Sequence, residues 1–398
     1  MKRVDLKRAQ SAHFSTIRDI NRQLVLNYVR EHEPISRAEI ARRVMLQRST
    51  VSAIVDELLD DHLIEDVGKG ESTGGRCANL LRLCGGHPAA IGVDISPIRT
   101  TVVSSDIAGL VLGKREFPTD PDPDKTLNLV IAAINELPRK ASRRIEGVGV
   151  SLPGLVDPLT GQALFIPYFN WRDLDVEGRI RAATGFKVTI DNDANAAALA
   201  ELWFGSAEVS ETRDFILVFV SEGLGTGIIL DRQVYRGAAG AAGEFGHMII
   251  GKKAPVACSC GGYDCWEAFA SGRATGARYA QLTGLNEPGQ QPTFEQVIQH
   301  ALDGEESAQT ALLETARNLS IGISNLIVGF SPELIVIGGP LARAWPLVAD
   351  VLGSIVERSV RRGLPSARII PSTLGERATL MGALSLVLSR KFASVATN

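Results

Sequence analysis

Glu244, His247, Cys258, Cys260, Cys265 and Glu267 place three thiols, an imidazole and two carboxylates in one short stretch of chain. Only five cysteines occur in the protein, and three of them form a C-x-C-x4-C array with a histidine eleven positions upstream. Thiolate and imidazole together are the ligands of a closed tetrahedral zinc site. Small buried thiols, or one disulfide with a spare cysteine, are the plain alternative. Cys258 and Cys260 are too close in sequence for an easy disulfide, yet both can face one ion if the residue between them turns outward. Cys77 and Cys84 lack such neighbours and are expected to be inert.

Such a pocket needs a scaffold. With 398 residues, 45% of them apolar, 39 glycines and a formal charge of -3, the chain reads as a soluble α/β protein of two or three domains, not a disordered or fibrous one. No apolar run reaches the roughly 18 residues a membrane span requires, and the first residues lack the apolar stretch of a secretory signal, so a cytoplasmic location and no membrane partner are expected. Near-neutrality hides an asymmetry: residues 1–50 carry 11 Lys or Arg against 5 Asp or Glu, which suits a segment facing a polyanion.

The pattern of that segment sharpens the expectation. Ile17, Ile20, Leu24 and Tyr28 recur at helical spacing and predict an apolar face on a helix ending near His32. Ser36-Arg37-Ala38-Glu39 fits a capping box opening a second helix, with Ile40 and Val44 buried. After a turn at Met45-Leu46-Gln47, a third helix runs from about Arg48 to Leu59, with Val51, Val55 and Leu58 inward. Residues 62–67 and 79–83 then predict two strands around a glycine-rich tip. This is a winged helix-turn-helix spanning residues 1–84. Its readers would be Gln47, Arg48, Ser49, Thr50 and Ser52 at base edges and phosphates, with Lys69 and Arg76 gripping the backbone of double-stranded DNA. Met45 fits poorly, because the turn favours glycine.

From Ala89 onward apolar strands alternate with helices. One series includes residues 90–95, 100–105 and 147–152, and a second runs from 215–220 to 334–337. Two α/β lobes with an interlobe cleft follow: residues 88–190, joined by the C-terminal helix 379–398, and residues 191–378.

The runs GVGVSLPGLVD, TIDNDANAAALAE, YRGAAGAAGEFGH, CSCGGYDCWEA and LIVIGGP resemble, in spacing and order, the ROK (repressor, open reading frame, kinase) family, including its repressor branch with an N-terminal winged helix. The resemblance implies a two-lobed actin-like (ribonuclease H-like) sugar-kinase fold and a monosaccharide ligand. It implies that Asn192, Asp193, Glu244, His247 and Glu267 hold the sugar, Asp193 being the base in true kinases. It also implies that His247, Cys258, Cys260 and Cys265 bind a structural Zn2+. A polyol does need several convergent acceptors at fixed positions, and an imidazole has two nitrogens, so both roles of His247 fit. Taken alone, Asp193 could instead cap a helix, Glu244 could be a loop charge and Glu267 a helix-face acid.

Two departures separate the chain from a kinase of that family. Where the family has D-x-G-G-T, this chain has Asp94-Ile95-Ser96-Pro97-Ile98-Arg99, and proline removes an amide a phosphate would need. In the second phosphate loop Glu222 stands where a hydroxyl is expected. The sequence therefore predicts a sugar-responsive DNA-binding repressor with no catalytic residues of its own, working as a homodimer or higher homo-oligomer. A bifunctional ATP-dependent sugar kinase is the alternative.

Overall fold

The computed structural model describes residues 14–69, 78–137, 145–285, 292–359 and 367–392. The head opens with α1 (Phe14–His32), β1 (Ile35–Ser36), α2 (Arg37–Arg43) and α3 (Arg48–Asp60), followed by the wing strands β2 (Ile64–Lys69) and β3 (Asn79–Leu83) in a sheet of order β1-β3-β2. Ser36 Oγ accepts the Glu39 amide at 3.2 Å, but the Glu39 carboxylate pairs with Arg42 instead of reaching back, so half of the expected capping box forms. The buried face of α1 also differs from the expected one. Val25, Leu26 and Val29 are fully buried, whereas Ile17, Ile20 and Leu24 are exposed. Ile54 joins Val51, Val55 and Leu58 inside. Met45 adopts a left-handed backbone, φ 54°, in the turn.

The first lobe contains β4 (Ala90–Ile95), β5 (Arg99–Ser105), β6 (Val111–Pro118), α4 (Pro123–Glu136), β7 (Val148–Leu152), the small sheet β8 (Leu155–Asp157), β9 (Gln162–Ile166) and β10 (Trp171–Asp175), then α5 (Val176–Thr184) and β11 (Val188–Asn192). Next come α6 (Asp193–Phe204) and the short α7 (Ala207–Glu211). The second lobe has β12 (Phe215–Val220), β13 (Leu224–Leu230), β14 (Gln233–Val234), α8 (Trp266–Ala270), α9 (Gly272–Thr283), α10 (Phe294–Leu302), α11 (Glu306–Phe330), β15 (Leu334–Gly338), α12 (Trp345–Ser359) and β16 (Arg368–Pro371). The chain ends in α13 (Ala378–Phe392).

The main sheets run β6-β5-β4-β7-β11 and β14-β13-β12-β15-β16. Each puts an antiparallel meander beside two parallel strands, so one topology is used twice. Strands such as β7, β12 and β15 are buried along their whole length and almost wholly apolar, as expected of central strands covered on both faces.

Helix α13 returns to the first lobe, and glycines let it approach. A Cβ on Gly149 would fall 1.8 Å from the Ala383 carbonyl oxygen, and one on Gly382 would fall 2.3 Å from the Ala196 carbonyl. The pair α6 and α13 thus forms the junction of the lobes. The head docks onto that junction: Asn27 Nδ2 donates to the Phe392 carbonyl at 2.5 Å, and the Arg30 guanidinium lies 4.6 Å from the Trp203 ring and 4.7 Å from the Phe392 ring. Apolar residues of α1, α3, α6 and α13 form one contiguous buried cluster. Among the described residues, no helix is long and apolar enough to cross a membrane.

Candidate sugar cleft, metal loop and DNA-facing helix

Asn192 ends β11 and caps α6. Its Oδ1 accepts the Ala194 and Asn195 amides, and its Nδ2 donates to the Gly154 carbonyl at 2.9 Å. Asp193 Oδ1 also accepts the Ala194 amide at 2.8 Å, and the residue lines a cavity of about 80 Å³ between the lobes. Burial, reinforced by the nearby Asp94 and Glu244 charges, raises its carboxyl to about 7. Asp94, at the cleft end of β4, is likewise raised by burial to about 6 and accepts from Thr379 Oγ1 at 2.8 Å.

The loop after β14 delivers Glu244 and His247 on one short 3-10 turn. Arg236, earlier in that loop, reaches the buried Asp191 carboxylate at 2.6 Å and so pins the loop beside Asn192. Burial raises the Glu244 carboxyl, and the His247 charge offsets part of that. Glu267, in the first turn of α8, is held tightly. Its Oε1 accepts from Ser259 Oγ and Arg273 Nη2, each at 2.8 Å, and its Oε2 accepts the Leu224 amide at 3.3 Å. All five residues expected to hold a sugar line the same cavity, as do Glu222 and Ser259. Sequence reasoning missed Asp191, Arg236 and Arg273, whose pairings span 45, 45 and 6 residues respectively.

The loop of His247 and the three cysteines lies against this cleft. His247 Nδ1 is 3.3 Å from Cys258 Sγ, Cys258 and Cys260 Sγ are 3.3 Å apart, and Cys260 and Cys265 Sγ are 3.8 Å apart. The four ligand atoms all fall within 4.8 Å of one another. Zn–S bonds of about 2.3 Å give tetrahedral S···S edges of about 3.8 Å, so the donor set and its spacing fit zinc. The other ring nitrogen, His247 Nε2, is 3.5 Å from Glu244 Oε2 on the cleft side. Trp266, fully buried, anchors the loop by donating to the Asn318 carbonyl of α11 at 3.0 Å. Cys84 is buried in the head, and Cys77 lies outside the described residues.

At the nucleotide side, the β4–β5 turn closes on itself. Ser96 Oγ donates to the Arg99 carbonyl at 2.8 Å, and Pro97 has no amide to offer. Glu222 projects its carboxyl into the cleft, where burial raises it. The glycines of β13 serve packing as well, since a Cβ on Gly227 would lie 2.4 Å from the Ala194 carbonyl oxygen.

In the head, Gln47, Arg48 and Ser49 are exposed at the start of α3, and Thr50 and Ser52 are half-exposed beside them. Lys69 is exposed on the wing; Arg76 lies outside the described residues.

Residues 90–390 match the ROK family model, and residues 18–65 match one for a winged helix-turn-helix DNA-binding domain. The xylose repressor of Caldicellulosiruptor bescii is 33% identical over 391 residues, covering 94% of this chain and 96% of that protein. The DNA-binding transcriptional dual regulator NagC of Escherichia coli is 29% identical over 95% of both. A solved ROK family transcriptional regulator, a homolog of the E. coli MLC protein, superposes with a TM-score of 0.77 at 26% identity over 95% of this chain and 97% of its own. A ROK family glucokinase from Streptomyces griseus, solved with glucose and AMPPNP, matches at 29% identity and a TM-score of 0.67, covering 99% of its own chain but 75% of this one.

Proposed function

The chain belongs to the ROK family, on its winged-helix repressor branch, and from that premise we propose that it is a sugar-responsive transcriptional repressor and not an enzyme. One observation carries the reading: a single polypeptide holds an exposed recognition helix, an acid-lined interlobe cleft and a packed junction joining the two. Gln47, Arg48, Ser49, Thr50 and Ser52 read the operator, and Lys69 with Arg76 holds phosphates. Asn192, Asp193, Glu244, His247 and Glu267 hold the monosaccharide. His247, Cys258, Cys260 and Cys265 hold zinc, which braces the loop. As a dimer, the protein would present two heads to two half-sites, and a sugar-driven change in lobe closure would alter their separation.

The proposal that no phosphoryl transfer occurs rests on the self-closed Ser96-Pro97-Ile98 turn and on Glu222. An ionised Glu222 near a triphosphate costs more than ~1 kcal/mol. The test is twofold. Thermal-shift and operator-binding assays over pentoses, hexoses and N-acetylated amino sugars, with xylose first because of the named relatives, are expected to give one sugar that both stabilises the protein and changes operator affinity. Incubation with labelled ATP, magnesium and the same sugars is expected to give no phosphorylated product; turnover would overturn the non-enzyme assignment.

A further inference from the structure

We infer that Tyr168 is a sixth member of the sugar cage, its phenol donating to a ligand oxygen and its ring forming the wall that limits ligand size. The inference rests on the sugar-sensor reading above and adds a specificity determinant to it.

Tyr168 sits in the turn between β9 and β10 of the first lobe and lines the cleft cavity. Its hydroxyl crosses to the second lobe. A Cβ on Gly223 would lie 2.6 Å from the Tyr168 oxygen and 2.9 Å from Glu267 Oε2, so the phenol and that carboxylate flank a residue with no side chain. The turn is anchored. Phe169 and Asn170 amides donate to the Ile166 and Pro167 carbonyls, and Trp171 Nε1 donates to the Pro121 carbonyl at 2.6 Å.

Donor supply makes the tyrosine matter. Asp193, Glu222, Glu244 and Glu267 surround the cavity with acceptors, whereas each sugar hydroxyl both donates and accepts. Other side-chain donors nearby already have partners: Asn192 Nδ2 donates to the Gly154 carbonyl, Arg273 Nη2 donates to Glu267 and His247 Nε2 lies beside Glu244, while the unpaired Arg273 Nε is buried on a residue that does not line the cavity. Among the described residues the Tyr168 hydroxyl has no hydrogen-bond partner. Burial and the Glu267 charge raise its pKa, which keeps it a protonated donor. The ring, meanwhile, lines one side of the cavity, so its bulk bears on how large a substituent the ligand can carry there.

Calorimetric titration of wild type, Tyr168→Phe and Tyr168→Ala with xylose, glucose and N-acetylglucosamine tests this, with melting temperature as the folding control. Loss of the hydroxyl in Tyr168→Phe is expected to weaken the best wild-type sugar about tenfold. Removing the ring in Tyr168→Ala is expected to raise the ratio of N-acetylglucosamine to xylose affinity by about tenfold, a change in ranking that a purely structural residue would not cause. If wild type binds sugar, and Tyr168→Phe stays within about twofold with the Tyr168→Ala ranking unchanged, the role of Tyr168 is overturned and the sensor reading stands. Silence of the wild type across all three sugars and the wider panel overturns both. Should Tyr168→Ala fail to fold, the Tyr168→Phe titration decides.

Discussion

A single imidazole stands at the boundary between the cysteine loop and the cleft. With Nδ1 of His247 turned to the cysteines, a metal there would fix the proton on Nε2, which faces Glu244. Stability and ligand affinity should then fall together when the metal is lost. Chelation, or Cys260→Ser, is expected to lower the melting temperature and to weaken sugar binding about 10- to 100-fold. Elemental analysis finding no zinc in purified protein would refute the site. A second residue, Glu201 on α6, is fully buried; its Oε1 accepts from Ser372 Oγ, and its Oε2 has no partner. Burial raises its carboxyl from 4.5 to about 7, so the folded state holds the proton more tightly than the unfolded one. Stability is therefore lost as pH rises through that window. Glu201→Gln is expected to match wild type near pH 4 and to exceed it by up to about 3 kcal/mol near pH 8, read from urea melts. A difference independent of pH would show that the carboxyl does not titrate there. The cysteine array was legible because cysteines are few and their spacing is local. Tyr168 and Arg236 were not, because what they do depends on groups that folding brings from other segments, and Arg273, six residues from Glu267, sits in no motif that marks it.

Elements were legible where a local rule dominated and misread where packing decided. Strand runs and the two helices of the helix-turn-helix follow from periodicity and caps. The apolar spacing of Ile17, Ile20 and Leu24 marks a face that the head leaves exposed, because α1 turns Val25, Leu26 and Val29 toward α3 and the body. Close helix approach is the other feature that a run of letters conceals. Gly382 and Gly353 both sit inside helices, but a Cβ on Gly382 meets the α6 backbone while one on Gly353 meets nothing within 4 Å. Gly382→Ala should destabilise by about 1–3 kcal/mol, whereas Gly353→Ala should gain up to about 1 kcal/mol from helix propensity. Equal effects in thermal melts would contradict the close crossing of α6 and α13. On the recognition element, Arg48→Ala with Lys69→Ala should reduce the slope of log affinity against log salt by about 2; an unchanged slope removes them from the phosphate contacts.

At the scale of the whole molecule, two copies of one sheet topology hold the cleft, and the two junction helices both run from cleft to head. Helix α6 starts with Asp193 in the cavity and ends near Trp203, about 15 Å away at 1.5 Å per residue. Helix α13 starts beside Thr379, bonded to Asp94, and ends at Phe392. Arg30 of the head lies against both far ends, and Asn27 donates to Phe392. A ligand can alter operator affinity only through contacts that differ between the two states, and this contact, with the apolar packing of α1 against α13 around it, is one such contact among the described residues. Arg30→Ala touches neither sugar nor DNA-facing residues, so sugar affinity without DNA should stay within about twofold of wild type. The factor by which sugar changes operator affinity should shrink toward one. Reciprocity requires the factor by which operator DNA changes sugar affinity to shrink equally, and fluorescence anisotropy with calorimetry measures both. If Arg30→Ala leaves that factor at its wild-type value, the signal does not pass through the Arg30 contact with the ends of α6 and α13, and the head senses lobe closure by another route.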